Sequence, residues 1–189
     1  DLGGVLVDLD RQRCIDSFAR IGFDVAPYLG QYSQKGLFRQ LEEGSITERE
    51  FLDAIPCQAT DEQKACAWTD FLAGLPERRR LVVLRMRQSG YKVCLLSNTN
   101  KTDWEFVERN YLWQGGLRTE DYFHHVFLSY RMHLLKPDPE IFRRALQEGN
   151  MTPAETLFVD DSQANCAAAA TLGIHTLCAV GDEWIDKIP

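Results

Sequence analysis

Three acidic residues and one lysine stand at positions of the chain where their charges could act together. Asp1 opens the sequence, Asp160 and Asp161 follow the apolar run 156–159, and Lys136 begins a Lys-Pro-Asp-Pro segment. Three carboxylates in one place repel one another unless cations neutralise them. One ammonium group and one Mg²⁺, which prefers oxygen ligands and water, would balance the three negative charges. The residue types therefore predict a magnesium site that can accept a phosphate dianion.

Ser97 and Asn98 add hydrogen-bond donors for such an anion, and they directly follow the apolar run 93–96. The Ser97 hydroxyl and the backbone N–H groups beside it could donate to phosphate oxygens. In open α/β sheets, ligands bind at the carboxyl ends of the strands. We therefore expect Asp1, Ser97–Asn98 and Asp160–Asp161 to converge on one site, which Lys136 can reach.

Short apolar runs alternate with helical patterns through the second half of the chain. The predicted strands cover residues 93–96, 126–128, 156–159 and 174–177. The predicted helices cover residues 77–89, 102–111, 138–148 and 163–172. This alternation predicts an α/β fold whose parallel sheet carries helices on both sides.

Residues 11–75 show helical patterns with almost no strand signal. Thr47 and Thr60 each begin a capping-box sequence, which is typical of a helix N-terminus. We predict a small helical bundle over residues 11–75, inserted after the first strand. Residues 1–10 and 76–189 would then form the α/β core.

Composition narrows the range of partners. The net charge of −7 disfavours non-specific binding to nucleic acid, because an acidic surface repels phosphate backbones. No apolar stretch approaches the ~20 residues that cross a bilayer, so a membrane is not an expected partner. The six cysteines form no CxxC pair, which is typical of reduced thiols in a cytoplasmic protein. Both a monomer and a homodimer are compatible with the sequence.

Four segments, in order, resemble the motifs of the haloacid dehalogenase-like superfamily. They are Asp-Leu-Gly-Gly-Val-Leu, Leu-Leu-Ser-Asn, Lys-Pro-Asp-Pro-Glu-Ile-Phe and Phe-Val-Asp-Asp-Ser. The resemblance implies a Rossmann-like three-layer core with a parallel sheet and an inserted helical-bundle cap of the C1 type. It also implies a Mg²⁺-dependent phosphatase that hydrolyses a small phosphorylated metabolite through an aspartyl-phosphate intermediate.

The same resemblance assigns the nucleophile and the metal ligands. Asp1 matches the nucleophile, which also binds the metal, and Gly3 matches the position whose backbone carbonyl is a ligand. Asp161 matches the direct metal ligand, and Asp160 matches its neighbour, which often acts through water. The nucleophile of this family normally follows an apolar strand of about four residues, so we expect such a strand to precede Asp1.

Substrate contacts are assigned in the same way. Ser97 matches the residue that hydrogen-bonds the phosphate, with Asn98 beside it, and Lys136 matches the lysine that balances the charges of nucleophile and phosphate. In the cap, Phe38 and Arg39 are the expected substrate contacts.

Gly3 departs from the family pattern, which has a second Asp at this position. That Asp protonates the leaving group and later activates water, a contribution typically worth ~10²–10⁴-fold in rate. Three interpretations stay open. In the first, the substrate has a good leaving group, as in the resembling subgroup of α-D-glucose-1-phosphate phosphatases, which cleave sugar-1-phosphates. In the second, another residue such as Asp8, or a water, transfers the proton. In the third, the chain is a catalytically impaired relative that binds a phosphate ligand.

Two further chemistries of the superfamily also lack the second Asp. Haloacid dehalogenases lack the acidic pair of the last motif, so Asp160–Asp161 argues against haloacid hydrolysis. Phosphonate hydrolases use a cap lysine, and neither Lys35 nor Lys64 has a recognisable context for that role.

Overall fold

The computed structural model describes residues 1–188, in which short strands alternate with helices. The strands are β1 (Asp8–Leu9), β2 (Leu72–Gly74), β3 (Cys94–Ser97), β4 (His125–Leu128), β5 (Leu157–Asp160) and β6 (His175–Cys178). The helices are α1 (Arg11–Arg20), α2 (Gly36–Glu43), α3 (Glu48–Ala54), α4 (Asp61–Thr69), α5 (Glu77–Gln88), α6 (Lys101–Val107), α7 (Thr119–Tyr122), α8 (Ser129–Met132), α9 (Pro139–Glu148) and α10 (Gln163–Ala170).

The strands of the second half pair in parallel, as the alternating pattern predicts. β3 pairs with β4 from Cys94 opposite His125 onward, and β5 pairs with β6 from Leu157 opposite His175 onward. Each of these strands begins within one residue of its predicted position. The predicted α/β fold class is therefore confirmed.

The three layers follow from the alternation of side chains along β3. Successive residues of a strand point to opposite faces of the sheet. Leu95 packs in one apolar cluster with Val83 of α5 and Trp104 of α6. Leu96 packs in a second cluster with Ile141 of α9 and others on that side. The strand β3 is thus covered by helices on both faces.

The start of the chain lies beside β5. The Asp1 amino nitrogen donates to the Val159 carbonyl at 2.8 Å, and the chain then reverses tightly, with the N–H groups of Leu6 and Val7 both bonded to the Leu2 carbonyl. Apolar side chains of β3 and β5 line a groove of about 510 Å³, with Asp1 also on its wall. The expectation of an apolar strand before Asp1 stays a prediction.

The helices α1 to α4 bury a core of their own, centred on Phe38 and Trp68. Thr47 and Thr60 begin α3 and α4 with complete capping boxes. The antiparallel pair β1–β2 connects this helical segment to the rest of the chain. The separate cluster supports our proposal that residues 11–75 form a cap on a core of residues 1–10 and 76–189. Among the residues described, no helix has the length and apolar character needed to cross a membrane.

Candidate active site

The loops after the strands bring the acidic residues together around one lysine. Asp1, Asp160 and Asp161 each offer a carboxylate oxygen, and these oxygens all lie within 4.8 Å of one another. Lys136 Nζ lies 2.8 Å from Asp1 Oδ1 and 2.6 Å from Asp160 Oδ2. It also donates to the carbonyl of Leu96 at 3.2 Å. The lysine therefore bridges two of the three carboxylates.

Asn98 fixes the position of Lys136. The Asn98 side-chain amide donates to the Lys136 carbonyl at 2.9 Å, and its oxygen accepts the Lys136 N–H at 2.8 Å. This reciprocal pair joins the end of β3 to the lysine loop. Asn98 also lines the cavity, and its contact with substrate stays a prediction. Ser97, at the end of β3, is buried and lines the cavity directly.

Asp160 is fully buried and held by several donors. Its Oδ1 accepts the Ser162 N–H and the Asn165 side-chain amide, both at 2.9 Å. Burial acts to raise the pKa of Asp160, but the Lys136 ammonium holds it below its ordinary value. The carboxyl is therefore kept ionised although it is inaccessible to water.

Asp161 packs directly against the backbone of the first loop. A Cβ built on Gly4 would lie 2.2 Å from Asp161 Oδ2, and Gly4 has a φ of +76°. Both the left-handed backbone and the close approach require glycine here. Burial, followed by the charge of Asp160, raises the pKa of Asp161. This carboxylate thus lies where an additional cation would stabilise it.

The donor set fits a hard divalent cation. Three carboxylates against one ammonium leave two excess negative charges, and all the candidate side-chain ligands are oxygens. Mg²⁺ is bound in this way, by a few carboxylates together with backbone oxygens, water and phosphate. Gly3, whose carbonyl was predicted to be a ligand, lines the same cavity.

The cavity beside these residues is small and is lined by both parts of the chain. Its volume is about 70 Å³, and the helical segment contributes Tyr32, Gln34, Glu42 and Trp68 to its walls. Several buried polar atoms on these walls have no hydrogen-bond partner within residues 1–188: Gln34 Oε1, Trp68 Nε1 and Asp103 Oδ1. Buried polar groups are nearly always paired in folded proteins. These atoms are therefore available for a polar ligand.

Three expectations about individual residues require correction. Phe38 is completely buried among the aromatic rings of the helical segment, 4.9 Å from the Phe51 ring, so it is a core residue and not a substrate contact. Arg39 is exposed and does not line the cavity in the described part of the chain. Asp8 forms an ion pair with Arg79 at 2.7 Å on the strand that leads to the helical segment, and it is not among the residues that line the cavity.

Glu42 and Asp103 line the cavity and were missed by the sequence analysis. Burial, followed by the charge of Asp103, raises the pKa of Glu42 to about 8. Burial raises the pKa of Asp103 to about 7, although the hydrogen bond from the Asn100 side-chain amide opposes the shift. The one signal in the sequence is that Glu42 stands four residues after Phe38, which places an acid on the buried face of α2.

The raised pKa of Glu42 predicts a stability that falls with increasing pH. Between its ordinary value of 4.5 and about 8, the folded chain binds a proton that the unfolded chain has lost, so the free energy of unfolding decreases as the pH rises. Asp103 of α6 adds to this slope, while the charges of Arg39 and Lys136 oppose it. Glu42→Gln should make the slope shallower. Because each pKa unit corresponds to ~1.4 kcal/mol, we expect the variant to be about 1–3 kcal/mol more stable than the parent at the upper end of the window.

Urea unfolding at several pH values, in EDTA throughout, measures this effect. Glu43→Gln is the matched control, because Glu43 is its chain neighbour but lies outside the cavity walls. Equal slopes for the parent and Glu42→Gln would show that Glu42 is ionised in the folded chain at neutral pH.

A family model described as a haloacid dehalogenase-like hydrolase matches residues 1–173. The chain belongs to the haloacid dehalogenase-like hydrolase family. This haloacid dehalogenase-like hydrolase is also 35% identical to the D-ribitol-5-phosphate phosphatase of Bacteroides thetaiotaomicron over 194 residues, which span 100% of the chain and 94% of that protein.

Solved structures of this family superpose closely on the hydrolase. A family enzyme from Bacteroides thetaiotaomicron, in complex with magnesium and inorganic phosphate, has a TM-score of 0.92 at 39% identity, covering 100% of this chain and 96% of that chain. A predicted family hydrolase from Porphyromonas gingivalis has a TM-score of 0.89 at 35% identity, covering 99% of this chain and 92% of that chain. L-2-haloacid dehalogenases share the fold at less than 20% identity.

Proposed function

We propose that this hydrolase is a Mg²⁺-dependent phosphatase that acts on a small phosphorylated metabolite through a phosphorylated Asp1. The observation that carries the proposal is the contact of Lys136 with both Asp1 and Asp160 beside a third carboxylate. The full-length similarity to a named phosphatase supports the same class of enzyme, a phosphoric monoester hydrolase.

Asp1, Asp160, Asp161 and the Gly3 carbonyl are the groups that would hold Mg²⁺. Bound there, the ion supplies positive charge that offsets the substrate phosphate. Family structures with magnesium and phosphate support this choice of metal.

The side chains of the site have separate roles in the transfer of the phosphoryl group. Asp1 supplies the carboxylate oxygen that attacks phosphorus, which makes it a covalent nucleophile. Lys136 holds that carboxylate in place at 2.8 Å and stabilises the charge of the transferring group. Ser97, buried at the end of β3, offers its hydroxyl to a phosphoryl oxygen.

For the substrate, we propose a phosphorylated polyol or sugar of about five carbons. Drug-sized ligand sites have volumes of roughly 300–1,000 Å³, and a cavity of about 70 Å³ admits only a small molecule. The unpaired polar atoms of Gln34, Trp68 and Asp103 suit the hydroxyl groups of such a chain. The relative named for D-ribitol 5-phosphate favours this class over the sugar-1-phosphates of the finer resemblance, which stays a prediction.

Hydrolysis of a panel of phosphorylated metabolites with Mg²⁺ tests the function. We expect phosphate release from p-nitrophenyl phosphate and from D-ribitol 5-phosphate, with a higher kcat/KM for the latter than for α-D-glucose 1-phosphate. EDTA should abolish turnover because the three carboxylates lose their balancing cation, and excess MgCl₂ should restore it. Turnover that survives EDTA would refute the metal site. Phosphate binding without turnover of any panel member would instead indicate a ligand-binding protein.

A further inference from the structure

The loop that carries the nucleophile contains no group able to protonate a leaving alcohol. A Cβ on Gly3 would lie 3.1 Å from a methyl carbon of Leu9, so an apolar side chain borders the position where the family has its second Asp. Leu9 also lines the cavity. The missing acid is therefore not replaced by a neighbour in this loop, and the phosphatase proposed above needs a proton donor from elsewhere.

Glu42 of the helical segment is placed to meet this need. It lines the same small cavity as Asp1 and Lys136, it is only 6% exposed, and its carboxyl has no hydrogen-bond partner within residues 1–188. Its backbone is anchored to the core, because the Ser129 hydroxyl donates to the Glu42 carbonyl at 2.6 Å and accepts the Thr99 N–H at 2.9 Å. The carboxyl is thus held at the site by contacts that join the two parts of the chain.

We propose that Glu42 is the catalytic acid and base of this phosphatase, supplied by the helical segment in place of the second Asp of the nucleophile loop. In the first step, an Asp1 oxygen bonds to phosphorus, the bond from phosphorus to the substrate oxygen breaks, and protonated Glu42 gives its proton to that oxygen. In the second step, a water oxygen bonds to phosphorus, the bond to Asp1 breaks, and the Glu42 carboxylate takes the proton from water. Alcohol and phosphate leave, and Glu42 is protonated again.

One carboxyl can serve both steps because both reacting oxygens occupy the same place. In-line displacement puts the leaving oxygen opposite Asp1, and the attacking water later approaches phosphorus from that same side. A proton donor on the cavity wall facing the departing group is therefore also positioned as the base for water.

Asp103 is the other buried carboxyl on this cavity, and its surroundings suit it to accept a hydrogen bond from the substrate. Its Oδ2 accepts the Asn100 side-chain amide at 2.8 Å, which stabilises the ionised form. The carboxyl of Glu42 lacks such a donor, and the negative charge of Asp103 raises its pKa further. Asp103 is therefore engaged by a donor, whereas the Glu42 carboxyl is free to exchange a proton with the reacting oxygens. Asp103 is left to accept a hydroxyl of the substrate.

Glu42→Gln, assayed with two substrates, tests the proposal. With D-ribitol 5-phosphate, whose alcohol is a poor leaving group, kcat/KM should fall by ~10²–10⁴-fold. With p-nitrophenyl phosphate, the phenolate departs without a proton, so kcat/KM should change little. Its kcat should still fall, because the second step lacks its base. Rapid mixing should then show a burst of one p-nitrophenol per chain as phosphorylated Asp1 accumulates.

Glu43→Gln, at the neighbouring position outside the cavity, should behave as the parent. An equal fall in kcat/KM for both substrates would overturn the proposal, since a positional defect impairs Asp1 attack regardless of the leaving group. Full activity of Glu42→Gln on both substrates would also overturn the proposal. So would a reduced kcat of Glu42→Gln on p-nitrophenyl phosphate without a burst. The burst requires only p-nitrophenyl phosphate, so the test does not depend on the natural substrate. A parent that turns over neither compound would refute the phosphatase function itself.

Discussion

Asp1→Asn should lower phosphatase activity by at least ~10⁴-fold, since removal of a covalent nucleophile eliminates the pathway that the other groups serve. The amide is nearly isosteric with the carboxylate and can still lie beside Lys136 and accept the Leu2 N–H that Asp1 Oδ1 now accepts at 2.6 Å. The loop geometry should therefore survive the change. Steady-state release of p-nitrophenol with saturating Mg²⁺ measures the loss, and circular dichroism checks that the variant is folded.

Asp16→Asn is the control for this change, because Asp16 is exposed on α1 and keeps its hydrogen bond from Gln12 when it becomes an amide. It should retain the activity of the parent. Beryllofluoride, an acyl-phosphate mimic, should bind the parent in Mg²⁺ and fail to bind Asp1→Asn. If the Asn variant kept activity within tenfold of the parent, the nucleophile would have to be another group, and the proposed intermediate would be wrong.

The general position of the site could be predicted because it depends on local signals. The apolar runs 93–96, 126–128 and 156–159 each end in a polar residue, and the carboxyl ends of parallel strands meet at one edge of a sheet. Ser97 and Asp160 could therefore be expected at the same edge once β3 and β5 were assigned. The placement of Lys136 followed from charge, since three carboxylates need a cation.

The inner wall of the cavity could not be predicted, because it is set by contacts between distant parts of the chain. The sequence of α2 shows an amphipathic helix, but only its packing on α8 decides which side faces the site. That packing buries Phe38, the expected substrate contact, in the helical core and places Glu42, which was given no role, on the cavity wall. Likewise, the pairing of Asn98 with Lys136 spans 38 residues of sequence, and no local pattern indicates it.

The departure at Gly3 shows the limit of reasoning from a motif. The motif predicts that an acid is missing, and Asp8 was a candidate substitute because the family often has an acid at that position. In the folded chain Asp8 belongs to an ion pair with Arg79, whereas a residue far along the sequence reaches the cavity. Chemistry lost from one loop can be supplied by any element that closes over the same space.

Lys136→Met should affect both stability and activity more than any other substitution of a lysine. The ammonium group is almost fully buried, and its removal leaves the Asp1 and Asp160 carboxylates together without a cation. Breaking a buried ion pair in this way typically costs ~3–5 kcal/mol. Phosphoryl transfer should slow by at least ~10²–10³-fold, because a preorganised positive charge is missing from the site.

Added Mg²⁺ should recover much of the lost stability but not the activity. A ligand that binds only the folded chain stabilises it, and the variant has one more uncompensated negative charge for the ion to neutralise. The increase in melting temperature on adding MgCl₂ should therefore be larger for Lys136→Met than for the parent. In EDTA, the loss of unfolding free energy in Lys136→Met should become smaller at low pH. Without the ammonium group that keeps its pKa low, Asp160 protonates more readily in the variant.

Lys101→Met, at an exposed lysine whose ion pairs are 3.7 and 3.8 Å long, should change the free energy of unfolding by no more than about 0.5 kcal/mol. If Lys136→Met matched that control in EDTA, the three carboxylates would not be sharing one charge-balanced site, and the basis for placing a divalent cation among them would be lost.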